Sequence, residues 1–213
     1  MATERRGRPR SFDRDAALEK AMRAFWEHGH EATTVAELTR AMDIGAPSLY
    51  AAFGDRKTLF GEVVRFYSAA HASFGERACA EEPTARAAPA RLLHETAAAF
   101  TRPGLPHGCM VVHAATNCTT PGIEEALRDR RQADITAFET RIRAGVAEGE
   151  LPSDTDAAAL AGYMGAVLQG MSQQARDGAS RSDLESLADL AMAAWPAAAK
   201  ADTKRQQQTS SNA

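Results

Sequence analysis

The chain has 213 residues, of which 44% are hydrophobic and 25% charged, and its 25 Lys+Arg against 28 Asp+Glu leave a formal net charge of -3. These values sit near the globular averages and exclude collagen-like, rod-like and disordered classes. No window approaches the roughly 18 consecutive apolar residues of a membrane helix, and the overall charge does not mark a globally basic nucleic-acid binder. The arginine-rich start lacks the apolar stretch of a secretory signal. Three cysteines, Cys79, Cys109 and Cys118, form no CxxC pair, which argues against a disulfide framework and a zinc ribbon. Both observations fit a cytoplasmic protein. Aromatics are 6% while alanine runs recur at 97–99, 157–159 and 197–199. A helix former with so small a side chain favours closely packed helices, so the expected fold is all-α.

Periodicity gives a string of about nine helices. Leu18, Ala21, Met22, Phe25 and Trp26 recur at helical spacing, and Gly29 is placed to end that helix in a positive-φ conformation. A short second helix begins at Thr33 or Thr34 and runs to about Met42, with Thr34 and Glu37 spaced as a capping box. A third spans about 46 to 53. Gly54-Asp55 breaks the chain before a longer fourth helix carrying Leu59, Phe60, Val63, Phe66 and Tyr67. Pro83 and Pro89 flank the next, with Leu92, Leu93, Ala97 and Phe100. Pro103, Gly104, Pro106 and Gly108 then interrupt the chain before a short apolar piece from Cys109 to Cys118, in which Val111 and Val112 leave a strand open. A long helix follows from about Gly122 to Glu148, and two more span about 154–177 and 182–199. The tail from residue 200 is small and polar, a composition that favours disorder.

The second and third helices have the helix-turn-helix pattern, in which the second of two short helices enters the major groove. Val35, Leu38 and Met42 face inward from one, Ile44 and Leu49 from the other. The tight turn then falls on Asp43, one of the few non-glycine residues that tolerate positive φ.

The stretch Thr33-Thr34-Val35, Leu38-Thr39-Arg40-Ala41-Met42-Asp43-Ile44 and Ser48-Leu49-Tyr50-Ala51-Ala52-Phe53-Gly54-Asp55-Arg56-Lys57-Thr58-Leu59-Phe60 resembles the N-terminal domain of TetR-type transcriptional regulators. The resemblance implies a basic arm over 1–11, a three-helix DNA-binding domain over 12–58, a helical effector-binding and dimerisation domain over 59–199, and a disordered tail over 200–213. It also implies a homodimer that binds a palindromic double-stranded operator, most simply as a repressor, and is released by a small-molecule effector. Neither a cofactor nor a metal is implied, and no GxSxG elbow, P-loop or HExxH motif suggests an enzyme.

Carried onto this sequence, the resemblance places Thr33 or Thr34 and Tyr50 against phosphates and gives Lys57 a charge contact. Gly45, Ala46, Pro47 and Ser48 then form the exposed start of the recognition helix. That face lacks the Arg, Asn or Gln of the usual bidentate base pairings, so DNA shape is expected to carry much of the specificity. In the arm, Arg6-Gly7-Arg8-Pro9 resembles the core of an AT-hook. Arg5, Arg6, Arg8 and Arg10 against Glu4 give the first ten residues a side-chain charge of +4 - 1 = +3. Arg6 and Arg8 are therefore candidates for a narrow minor groove, where negative potential is enhanced; the alternative is a solvated tail.

The last two helices resemble in position the pair that forms the family's dimer bundle, with small residues from Ala157 to Gly170 allowing close approach and Leu187, Leu190 and Trp195 supplying apolar area; the alternative for the same residues is a plain intrachain core. Ligand candidates are His107, Met110, His113 and Asn117 around the broken middle segment, and Tyr163, Met164 and Met171 on the eighth helix. Few acids lie inside the apolar segments, which favours a neutral or weakly polar ligand over a multivalent cation. Cys109 follows Gly108 at the start of a short helix, where a helix dipole favours the thiolate. The alternative function is therefore a thiol-based redox or electrophile sensor acting through Cys109, with Cys118 as resolving partner. Against it, cysteine commonly packs as a small buried hydrophobe. Cys109 with His107 and His113 matches no zinc signature.

Overall fold

The computed structural model describes residues 12–114 and 118–196. The basic arm with Arg6 and Arg8, Asn117 and the tail from residue 200 lie outside the described residues. Ten helices are present among the described residues and no strand: α1 (Arg14–Ala32), α2 (Val35–Met42), α3 (Ala46–Phe53), α4 (Arg56–His71), α5 (Phe74–Glu81), α6 (Ala87–Phe100), α7 (Met110–His113), α8 (Ile123–Ala147), α9 (Ala157–Arg176) and α10 (Arg181–Ala193). The all-α expectation holds. α5 is an addition to the helices expected from periodicity and follows a break at Ala72 (φ -133, ψ 12). Val111 and Val112 form one helical turn rather than a strand. No helix of the described residues is long and apolar enough to cross a membrane.

Local chemistry sets the helix ends. Asp13 caps α1 by accepting from Asp15 N and Ala16 N, Asp55 caps α4 through Thr58 N, and Asp156 caps α9 through Ala159 N. Near the end of α1, Gly29 takes φ 78 and kinks the chain, a conformation that strains any residue with a Cβ.

The chain divides into two compact units. The first combines the chain up to Ser73 with Arg102–Arg130, and so holds α1 to α4, α7 and the first turns of α8. Its core joins Phe25, Trp26, Leu38, Leu49, Phe53, Phe60 and Tyr67 to Met110, Ile123 and Leu127. Phe25 meets Phe60 edge-on at 5.0 Å, and Trp26 meets Tyr67 edge-on at 4.9 Å. α4, which the sequence reading assigned to the effector domain beyond residue 58, packs on α1 in this unit because Leu59, Phe60, Val63 and Tyr67 are buried on one of its faces.

The second unit combines Phe74–Thr101 with the chain from Arg131 and packs α6 against α5, α9 and α10. Its buried positions include Ala88, Ala97, Ala157, Ala161, Ala175, Ala188 and Ala191, so part of the alanine excess lies on the packed faces of these helices. At Gly145 of α8 a Cβ would lie 2.4 Å from the Cβ of Ala85, in the turn before α6. Arg141 and Glu150 fasten the same spot, through Arg141 to Pro83 O (3.0 Å) and Ala85 N to the Glu150 carboxylate.

Candidate nucleic-acid interface

Helices α2 and α3 form a helix-turn-helix whose turn is fixed by backbone bonds. Asp43 has φ 57 and ψ 46 and is the only non-glycine residue at positive φ among those described. Its N–H donates to Arg40 O (3.3 Å) and the next N–H, of Ile44, to Thr39 O (3.1 Å). This pair is a Schellman motif, here built on Asp instead of the usual glycine. Inward, Leu38, Met42, Leu49 and Phe53 are buried, with Ile44 packed partly against them.

The start of α3 is set by Gly45, whose carbonyl accepts from Ser48 N and Leu49 N at 3.0 Å, and Pro47 sits in the first turn, where its missing N–H costs nothing. Gly45 and Pro47 are exposed, Ala46 and Ser48 half-buried, and Tyr50 is 52% exposed. Gly45 is the N-cap of α3, Ala46, Pro47 and Ser48 form its first turn and Tyr50 lies one turn on from Ala46, in a helix that carries no charged side chain.

Other residues named from the sequence are engaged within the chain. Thr33 is fully buried, and its hydroxyl donates to Gly29 O at 2.6 Å, so it closes the kink in α1. Thr34 is the N-cap of α2; its N–H and hydroxyl donate to Glu37, whose own N–H donates back to Thr34 Oγ1. Those donors hold the Glu37 carboxyl below the usual range. Lys57 is exposed, and its Nζ donates to Pro121 O at 2.7 Å.

Residues 17–63 match the model of the bacterial regulatory proteins of the tetR family, and residues 90–198 match that of the tetracyclin repressor-like C-terminal domain. The chain belongs to the TetR family. It is a DNA-binding transcriptional regulator. It is 36% identical over 197 residues to the HTH-type transcriptional repressor ComR of Escherichia coli (strain K12), covering 90% of this chain and 92% of that one. BdcR, another HTH-type transcriptional repressor of the same strain, is 28% identical over 185 residues, covering 87% and 90%. Among solved structures, a triple cysteine mutant of the TetR family regulator CifR, complexed with 26 bp double-strand operator DNA, has a TM-score of 0.85 and 43% identity, covering 89% of this chain and all of that one.

In this TetR-family chain the ligand candidates fall into both compact units. Met110 is buried in the core of the first, its N–H donating to the Tyr67 hydroxyl at 3.4 Å, while His107 is exposed and His113 half-buried. Met164 and Met171 are buried in the second unit; Tyr163 is 37% exposed and its hydroxyl donates to Ala191 O at 3.4 Å. Cys109 is half-buried, and its Sγ accepts from the Tyr67 hydroxyl at 3.6 Å. Burial pushes the Tyr67 phenol well above its ordinary range, with the neighbouring Cys109 adding to the effect. Cys118 makes different contacts, with Glu31 Oε1 at 3.5 Å and His30 Nδ1 at 4.0 Å. No disulfide joins the cysteines.

Two arginines with structural roles were missed by the sequence reading. Arg56, in the first turn of α4, donates from Nη1 to His30 O (3.2 Å) and Thr33 O (3.0 Å), satisfying carbonyls at the α1–α2 junction. Arg14 lies over the Phe53 ring at 4.5 Å and pairs with Glu62, which ties α1 to α3 and α4. Neither Arg14, between Asp13 and Asp15, nor Arg56, beside Lys57, carries a spacing signal that points to these partners.

Proposed function

We infer that the chain is a cytoplasmic repressor that binds a palindromic operator as a homodimer and is released by a small-molecule effector. The observation that carries the reading is the fixed α2–Asp43–α3 turn with the exposed outer end of α3 beyond it. A helix held so rigidly can enter a major groove with Gly45, Ala46, Pro47 and Ser48 leading. Tyr50, exposed on the same helix, donates its hydroxyl to a phosphate, and α2 offers first-turn amides beside its capping box. With no charged side chain on α3, base discrimination comes from Ser48, from apolar contact with thymine methyls and from DNA shape. Arg6 and Arg8 of the arm add minor-groove contacts.

The dimer reading rests on α9 and α10. Gly162, Ala166 and Gly170 recur every four residues on an exposed face of α9, and Leu190 of α10 is 70% exposed. Trp195, named from the sequence as interface area, is instead buried inside its own unit. Selection from a randomised duplex pool tests the whole reading. It should return a two-fold symmetric site, and Tyr50→Phe should weaken binding to all sequences alike. Failure to enrich any duplex would overturn it.

The thiol reading has its own support in the Tyr67–Cys109 contact, which links Cys109 to α4 and, through the Trp26–Tyr67 packing, to α1. Peroxide-induced release from the operator that persists unchanged in Cys109→Ser would eliminate this reading.

A further inference from the structure

The end of α1 and the loop before α8 bring together three side chains of metal-binding type. His30 Nδ1, Glu31 Oε1 and Cys118 Sγ converge, with Nδ1 to Oε1 at 3.5 Å, Sγ to Oε1 at 3.5 Å and Sγ to Nδ1 at 4.0 Å. A tetrahedral zinc-class ion bonds sulfur at about 2.3 Å and nitrogen or oxygen at about 2.0–2.2 Å, which spreads its ligand atoms about 3.4–3.6 Å apart. Two of the three distances already match, and the third closes with a movement of about 0.4 Å.

The frame is rigid where it needs to be. The His30 ring is buried, stacked on Phe25 at 6.0 Å and edge-on to Phe60 at 4.9 Å, and its Nε2 has no hydrogen-bond partner among the described residues, whereas Nδ1 meets polar groups. Glu31 Oε1 accepts from Thr119 N (3.0 Å), Thr120 N (2.9 Å) and Thr120 Oγ1 (2.7 Å), the kind of outer bonds that orient a ligating carboxylate. Glu31 is partly open to solvent, which leaves an entry path and room for water as a fourth ligand.

We propose that His30, Glu31 and Cys118 bind a zinc-class divalent ion that clasps the loop 118–122 to the α1–α2 junction and so modulates operator affinity. On binding, the Cys118 S–H proton passes to solvent and the thiolate forms the metal–sulfur bond, replacing the S–H···Oε1 contact. A thiolate and an imidazole select a borderline-soft ion over magnesium or calcium. The clasp joins contacts that already converge here: Arg56 on the carbonyls of His30 and Thr33, and Lys57 on that of Pro121. The effect on affinity rests on the operator-binding reading; the site itself does not.

The test titrates the full chain, stripped with chelator, with Co²⁺ as spectroscopic probe and Zn²⁺ as competitor. One equivalent per chain should give a thiolate-to-cobalt absorption band that Cys79→Ser keeps. Cys118→Ser and Glu31→Gln should weaken binding about 100-fold or more, since loss of even an outer partner costs 10–100-fold. In the unmutated chain Zn²⁺ should protect Cys118, identified by peptide mapping, from alkylation, a readout that needs no variant to fold. Operator affinity should shift by about fivefold or more with Zn²⁺ in the wild type and stay fixed in Cys118→Ser. Absence of the band, or protection of Cys79 or Cys109 instead, overturns the site. A band assigned to Cys118 with operator affinity unmoved supports the site and overturns the coupling. Failure to bind DNA in both the stripped and the loaded state overturns the operator reading while a positive cobalt titration still upholds the site.

Discussion

Arg56 offers the most direct test of how α2 is held. Its Nη1 donates to two good acceptors, His30 O at 3.2 Å and Thr33 O at 3.0 Å, with Glu31 O at the limit of 3.5 Å. Arg56→Met keeps most of the apolar stem and removes the guanidinium. A hydrogen bond to a charged group contributes about 1.5–3 kcal/mol when buried, but Arg56 is only half-buried, so water replaces part of the loss and about 1–2 kcal/mol is expected for the pair. For a chain of this length that corresponds to a fall of about 2–8 °C in Tm. Urea unfolding at one fixed protein concentration measures it, since dimerisation would make the midpoint concentration-dependent. Operator affinity should fall as well, because the freed carbonyls lie where α1 hands over to α2. A stability within about 0.5 kcal/mol of the wild type would show that these bonds do not hold the α1–α2 junction.

At Gly145 the Ala85 Cβ stands 2.4 Å from where a new methyl would go, so Gly145→Ala should cost about 1–3 kcal/mol in thermal unfolding despite a gain of about 1 kcal/mol in helix propensity; an unchanged or raised stability would show that the contact relaxes freely. The Glu37 carboxyl is held below its usual range by the Thr34 donors, so its stabilisation is complete above the ordinary glutamate pKa and is lost as the pH falls through the lower folded value. The gap in stability between wild type and Glu37→Gln should therefore close on acidification, and a gap constant from neutral pH to pH 3 would contradict this. Leu190→Glu removes about 1.5–3 kcal/mol of burial per chain if α10 lies in the dimer, so sedimentation should show more monomer, and an unaltered association constant would place the interface elsewhere. Deleting residues 1–10 should flatten the slope of log affinity against log salt by up to about 3, given the arm's +3 side-chain charge and about 0.9 per neutralised phosphate; an unchanged slope would remove the arm from the interface.

Short-range signals carried much of this protein. The Thr34–Glu37 box, the Asp43 turn, the positive φ at Gly29 and the apolar spacing of α1 to α4 depend on residues within four or five positions of one another, and the sequence showed each of them, although α1 kinks at Gly29 and runs on to Ala32 where an end was expected. So did the resemblance of residues 33–60 to the family, because a helix-turn-helix must keep its residues in register. Long-range pairing was not legible. Thr33 reads as a phosphate-contact candidate until folding buries it against Gly29, and Trp195 reads as an interface residue until its own unit covers it. Arg56 and Arg14 look like ordinary surface charges until the end of α1 and the Phe53 ring come within reach. The meeting of His30 and Glu31 with Cys118 spans 88 positions between His30 and Cys118, a separation across which no spacing rule operates. Helix type and local turns follow from neighbours in the chain; which charge, thiol or imidazole meets which partner is decided only when the helices pack.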